Sequence, residues 1–279
     1  MSLATVGVVG AGTMGNGIAQ VCASAGLTVR LLDISREMLD KAVATIDKNL
    51  GRRAMEPAHK LAVLARIELS TDYGCLQDAD IVIEAATEHL SLKHDVLKRV
   101  VQHVSPQCVI ATNTSSLSIT QLAAKLSHPE RFVGVHFFNP VPVMQLIEVV
   151  RGLRTSDHTY TQVLALVARL DKVAITSANR PGFVVNRILV PMINEAVLVY
   201  QEGIASAKDI DSAMVLGCNQ PLGPLALADL IGLDTVLAIL ESLYAGFSDS
   251  KYRPASMLRE LVAAGDLGRK TGRGFYDYG

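Results

Sequence analysis

Residues 6–20 read VGVVGAGTMGNGIAQ, and the spacing of three glycines in that stretch decides the fold. Gly10, Gly12 and Gly15 form G-x-G-x-x-G, directly after an apolar run and at the opening of a segment with helical periodicity. Gly10 permits a tight turn, Gly12 lets the backbone approach a pyrophosphate, and Gly15 lets the helix pack against the strand. The helix opening at Thr13 and Met14 would present unpaired N–H groups to phosphate oxygens. Such spacing is weak evidence by itself. Here a strand precedes it, a helix follows it, and Asp33 ends the next apolar run, TVRLLD. Asp33 can accept hydrogen bonds from ribose hydroxyls and repel a 2′-phosphate, which predicts NAD rather than NADP. Arg36 is the nearby residue that could compensate a phosphate.

Outward from this turn the same rhythm continues. The apolar runs TVGVVG, TVRLLD, ADIVIEAA, CVIATNT, RFVGVHFF, QLIEVV and KVAIT alternate with helix candidates at 14–25, 36–50, 92–103 and 159–170. Several runs are apolar on consecutive residues, as expected of strands covered on both faces. The pattern predicts an α/β fold, a Rossmann-like doubly wound sheet over residues 1–185. From Asn186 onwards strand signals vanish and apolar helix candidates are punctuated by Gly and Pro, predicting a smaller all-helical domain over 186–279. Pro181 suits the first turn of a helix running towards Tyr200, and Pro191 predicts a kink in it. The apolar helix faces of this second part predict a homodimer through the C-terminal helices.

Lys plus Arg (26) nearly balance Asp plus Glu (27), so there is no overall basic field to argue for nucleic acid. Cys22, Cys75, Cys108 and Cys218 are widely spaced with no CxxC pair, which predicts buried thiols in a reducing compartment and no metal site. There is no run of about 18 apolar residues and no basic leader, so no membrane span is expected and the predicted location is cytoplasmic.

The chemistry gathers at one edge of the predicted sheet. The strand CVIATNT runs into TNTSSL and places Asn113, Ser115 and Ser116 at its carboxyl end, the edge that faces the ligand crevice in open α/β sheets. The next strand brings His136 to the same edge. If QLIEVV doubles back through the turn NPVP, Glu148 comes alongside His136. A hydride leaving a carbinol carbon needs a base for the hydroxyl proton, and a histidine can serve at neutral pH. A carboxylate on the other ring nitrogen would fix the tautomer. RPGFVVNR then puts Asn186 and Arg187 where the sheet hands over to the helices. The remaining histidines, at 59, 89, 94, 103, 128 and 158, read as surface or cap residues.

These motifs, with EAATEHLSLK, RPGFVVNRILVPMINEA, LGPLALADLIGLD and GRKTGRGFYDY in order along nearly the whole chain, resemble the 3-hydroxyacyl-CoA dehydrogenase family, particularly its short 3-hydroxybutyryl-CoA members. The resemblance implies a His–Glu acid/base pair at His136 and Glu148, with substrate contacts at Ser115 and Asn186. It also implies positions near the nicotinamide and its ribose at Glu88, Lys93 and Asn113. The substrate so implied is a (3S)-3-hydroxyacyl-CoA, interconverted with the 3-keto thioester. For the CoA tail, the family's helical arm falls on KNLGRRAMEPAHKLAVLAR, which offers Lys48, Arg52, Arg53, Lys60 and Arg66; a solvated helix face explains those charges equally well. Two other readings remain open at this point: an NAD-dependent dehydrogenase of a free hydroxy acid in the same superfamily, and a nonenzymatic NAD-binding protein.

Overall fold

The computed structural model describes residues 3–52 and 56–279. It divides into two compact units, the first ending at Asn179 and the second running Arg180–Gly279.

The first unit alternates β1 (Thr5–Val9), α1 (Thr13–Ser24), β2 (Thr28–Leu32), α2 (Arg36–Arg52), α3 (Pro57–Leu64), β3 (Ile67–Ser70), β4 (Ile81–Glu84), α4 (Leu90–His103) and β5 (Val109–Thr112). It continues through α5 (Ile119–Ala123), β6 (Phe132–Phe137), β7 (Leu146–Arg151), α6 (Asp157–Arg169) and β8 (Val173–Ala178). The strands form one sheet in the order β3-β2-β1-β4-β5-β6-β7-β8. Strands β1 to β6 are parallel; β7 turns back antiparallel to β6, and β8 pairs parallel with β7. Strand order reverses between β1 and β4, and a ligand crevice opens at the carboxyl ends of strands at such a reversal. The consecutive apolar residues are buried on both faces, all six of β6 among them. Val6, Val8, Ile18, Leu31, Ile83, Val133 and Val149 share one core with the helices.

The second unit is helical: α7 (Val185–Gln201), α8 (Ala207–Cys218), α9 (Pro224–Ile231), α10 (Leu233–Phe247) and α11 (Ser256–Ala264). Its core joins Val190, Ile193 and Val197 of α7 to Ile210, Leu225, Leu240 and Leu258. The C-terminal segment folds over the buried Asp229 carboxylate, which accepts the N–H groups of Phe275 and Tyr276, each at 3.0 Å, and the Tyr278 hydroxyl.

Three expectations need correction, and one strand lay outside them. Pro181 lies outside the helix, because Gly182 (φ 73°) and Phe183 (φ 48°) adopt left-handed backbone and α7 starts only at Val185. The strand β3 was not foreseen. His94 is no surface residue: it is 4% exposed on the inner side of α4. Of the four cysteines only Cys22 and Cys108 are buried, whereas Cys218 is exposed. Burial pushes both buried thiols up to about 12, against a smaller opposing pull from Lys172 on Cys22 and from Arg131 on Cys108.

Candidate active site

The turn between β1 and α1 has the geometry its glycines imply. Gly10 has φ of 102°, and a Cβ on Gly15 would lie 1.7 Å from the Gly10 carbonyl oxygen. A Cβ on Gly12 would meet nothing within 4 Å, so the space above this residue is open. No side chain caps the start of α1, which leaves its first N–H groups, at Thr13, Met14 and beyond, facing that space. Asp33, just past the end of β2, accepts the Ala11 N–H at 2.7 Å and the Ser35 N–H at 3.0 Å. Beside it opens a cavity of about 380 Å³ whose lining includes Gly10, Leu32, Ile34, Tyr73, Leu92 and Arg99. Ile34 and Leu92 are exposed there, apolar faces of the kind a flat heteroaromatic base needs. Burial raises the Tyr73 phenol above its ordinary value, opposed by Arg99, so the phenol itself stays protonated. Arg36 is engaged with Asp40 at 3.1 Å. An open helix start, an acidic acceptor at the end of β2 and an apolar slot fit the pyrophosphate, ribose and adenine of NAD.

His136 and Glu148 are direct register partners across β6 and β7. Because β7 runs back, a residue early in β7 lies opposite one late in β6, and both reach the carboxyl edge. His136 Nδ1 is 2.7 Å from Glu148 Oε2, with the carboxylate fully buried and His136 only 6% exposed. An ionised carboxylate only accepts, so Nδ1 carries the proton and Nε2 is the basic atom of the neutral ring. The ring packs against Phe138, centroids 4.5 Å apart. Between the two strands the chain makes a turn that contains the cis peptide Asn139–Pro140.

Next to this pair, Asn113 Oδ1 accepts the Phe137 N–H at 2.8 Å, tying the end of β5 to the strand that carries His136. Glu88 Oε1 gathers donors from the β5 loop: the Thr114 hydroxyl and the Ser115 N–H at 2.7 Å, the Ser116 N–H at 3.1 Å, and the Ser115 and Ser116 hydroxyls at 3.0 and 3.1 Å. Ser115 thus belongs to a loop whose donors converge on the Glu88 carboxylate. Lys93 lies beneath this floor rather than in the crevice, 1% exposed, with its ammonium 2.5 Å from Glu84 Oε2.

His136, Glu148, Asn113, Ser115, Glu88 and Asp33 therefore share the first unit, while Asn186 sits in the first turn of α7 in the second. The basic segment is divided. Lys48 and Arg52 are exposed on α2, Lys60 pairs with Asp47 at 2.8 Å, and Arg66 donates to the Ala62 carbonyl. Arg53 lies outside the described residues. A cavity of about 340 Å³ beside the glycine turn is lined instead by Lys41, Thr45 and Asn49 of α2 together with Asn139–Pro142. Sequence reasoning passed over these three, although Thr45 and Asn49 follow Lys41 at four-residue steps along one helix face. It also passed over Glu84 and Thr112, whose polar side chains end two buried strands.

A dinucleotide turn at the reversal of a doubly wound sheet, with an imidazole–carboxylate pair at the same edge, defines the class of NAD-dependent oxidoreductases. Comparison with known proteins narrows it. Residues 5–180 match the model of the 3-hydroxyacyl-CoA dehydrogenase NAD binding domain, and residues 182–278 that of the family's C-terminal domain. A probable 3-hydroxybutyryl-CoA dehydrogenase of Bacillus subtilis is 47% identical over 282 residues, covering 100% of this chain and 98% of that protein. The 3-hydroxybutyryl-CoA dehydrogenase of Clostridioides difficile is 48% identical over 275 residues, covering 97% and 98%. Among solved structures, the (S)-3-hydroxybutyryl-CoA dehydrogenase of Ralstonia eutropha is 58% identical, covers 100% of both chains and superposes with a TM-score of 0.96. The chain belongs to the 3-hydroxyacyl-CoA dehydrogenase family.

Proposed function

We propose that this protein interconverts (3S)-3-hydroxyacyl-CoA and 3-ketoacyl-CoA, with 3-hydroxybutyryl-CoA and acetoacetyl-CoA as its short-chain pair. The observation that carries the reading is the 2.7 Å contact between His136 Nδ1 and Glu148 Oε2 on register-paired positions at the sheet's carboxyl edge. The names of the full-length relatives at 47–58% identity support the substrate class.

NAD, when bound, supplies the hydride acceptor, and NADH the donor in reverse. In oxidation, His136 takes the 3-hydroxyl proton on Nε2; Glu148 keeps Nδ1 protonated, orients the ring and stabilises the imidazolium. In reduction, His136 returns that proton to the keto oxygen. The Ser115 hydroxyl, turned away from Glu88, donates to the reacting oxygen or the thioester carbonyl, and Asn186 is the other residue assigned to hydrogen-bond the substrate. Phe138, whose ring centroid is 4.5 Å from that of the imidazole, covers one side of the pair. Base assistance of this kind is worth roughly 10²–10⁴ in rate. The helical unit supplies the contact with a second copy: Ile188, Ile204 and Leu216 are large exposed apolar side chains there.

The test follows NADH absorbance with acetoacetyl-CoA, in wild type and in His136→Ala. Rapid turnover that collapses in the variant is expected. Silence of the wild type in the presence of bound NADH would sink the short-chain thioester reading, and an unimpaired His136→Ala would reduce His136 to a satisfied core histidine.

A further inference from the structure

Glu84 ends β4 at the point where strand order reverses, paired in register with Val9 on one side and Thr112 on the other. It is fully buried, and so is its partner Lys93 from α4. Every oxygen of this carboxylate is used. Oε1 accepts the Ala86 N–H at 2.9 Å, and Oε2 accepts the Thr112 hydroxyl at 2.7 Å and the Lys93 ammonium at 2.5 Å. The same ammonium donates to Thr112 Oγ1 at 3.3 Å and lies 3.7 Å from Glu88 Oε2. The other oxygen of Glu88 holds the Ser115–Ser116 loop.

Taking two charges out of water costs several kcal/mol per ion, and an apolar pair of the same volume would pack there at no such cost. What the ion pair does at this location is apportion one buried cation between two carboxylates. Glu84, at hydrogen-bonding distance, takes most of the Lys93 charge, which leaves Glu88 turned towards the serine loop. Without the Glu84 charge, Lys93 has one carboxylate left within reach, Glu88. The ammonium would draw that side chain down and unseat the loop that carries Ser115.

We propose that Glu84 is a positioning residue of the reaction: by neutralising Lys93 it keeps Glu88 in place, and Glu88, through the Ser115 and Ser116 N–H groups it accepts, holds the loop from which the Ser115 hydroxyl turns to the substrate oxygen. This rests on the reading above that Ser115 meets the substrate.

The experiment compares wild type, Glu84→Gln and the double variant Glu84→Gln/Lys93→Met, with two readouts. The first is kcat and KM with acetoacetyl-CoA and NADH on protein shown by thermal melt to be folded. The second, independent of turnover, is amide hydrogen exchange at Ser115 and Ser116. Glu84→Gln should lower kcat roughly 10- to 100-fold, as sub-ångström misplacement of a contact does, and should speed exchange at both amides. The double variant, with no unpaired cation to pull on Glu88, should regain slow exchange at both amides, a non-additivity that marks coupled sites. A Glu84→Gln protein that melts earlier while keeping its kcat and its Ser115 protection would make the ion pair merely structural and overturn the proposal. A double variant whose Ser115 and Ser116 amides exchange as fast as in the single variant would overturn it too, because the unpaired cation would then not be what moves Glu88. A wild type inactive on the thioester would fail the substrate reading alone, since the exchange pattern would still decide the role of Glu84.

Discussion

The Asp33 carboxylate reaches across from the end of β2 and accepts the Ala11 N–H at 2.7 Å, inside the glycine turn itself. A second bond from the Ser35 N–H fixes the other oxygen. The acidic group is thus preset at the place where a ribose would lie, with its charge aimed at the hydroxyl-bearing edge. Replacing Asp33 with Ser removes both the acceptor and the repulsion of a 2′-phosphate. A hydrogen bond to a charged group is worth about 1.5–3 kcal/mol, so KM for NADH should rise roughly 10- to 100-fold. Activity with NADPH should rise relative to NADH. Steady-state kinetics with both cofactors would check this, and an unchanged cofactor ratio would count against Asp33 as the discriminating residue.

Two glycines three residues apart make opposite predictions about folding and binding. A Cβ on Gly15 would lie 1.7 Å from a backbone oxygen, so Gly15→Ala must displace α1 from β1 and lower the melting temperature. A Cβ on Gly12 meets nothing, and Gly12 has an ordinary φ of −65°. Gly12→Ala should therefore melt with wild type and yet bind NADH far more weakly, because the methyl group occupies the space the pyrophosphate approaches. Paired thermal melts and fluorescence titrations with NADH would separate the two effects.

The sheet was legible because strands buried on both faces write themselves as consecutive apolar residues, as in Phe132–Phe137. The pairing of His136 with Glu148 was legible because a short Pro-rich turn separates two such runs. Strand β3 was not: Ile67–Ser70 has four residues, β2 as its strand partner, and a single buried residue, Ile67. The buried pairing of Glu84 with Lys93 escaped for a different reason. Charged residues default to the surface, and nothing in EAATEHLSLK states that its first and last residues meet in the core. A signal did exist on α4. Lys93, Leu97 and Val100 follow the i, i+4, i+7 spacing of its buried stripe, and His94, three residues before Leu97, borders the same stripe. Following that stripe past its apolar members would have placed both inside.

Glu148 also stabilises the fold. Its carboxylate lies at 0% exposure and accepts from a nearly buried imidazole. Glu148→Leu removes that acceptor and should cost about 1–3 kcal/mol of stability, visible in denaturant titration. Glu148→Gln retains an acceptor oxygen but not the charge, which on the proposed mechanism stabilises the imidazolium, so it should fold close to wild type while kcat falls. If both variants keep the wild-type kcat and neither loses stability, the carboxylate is neither the tautomer lock nor the counter-charge for His136.

At the opposite edge of the sheet, Arg30 of β2 meets Asp78 in a two-pronged contact, Nε to Oδ1 at 3.3 Å and Nη2 to Oδ2 at 2.6 Å. The Arg30 hydrogen bonds hold the Asp78 carboxyl below its ordinary value, outweighing the burial that would raise it. A carboxyl with a lowered folded-state pKa contributes stability that is complete above its unfolded value, about 3.9, and is lost as pH falls through the lower folded value. The difference in melting temperature between wild type and Asp78→Asn should accordingly be constant from neutral pH down to about 5 and shrink towards zero below about 3. Both side chains retain contact with solvent, so the difference should also diminish with added salt. A gap that persists unchanged at low pH would mean that Asp78 acts through packing rather than through its charge.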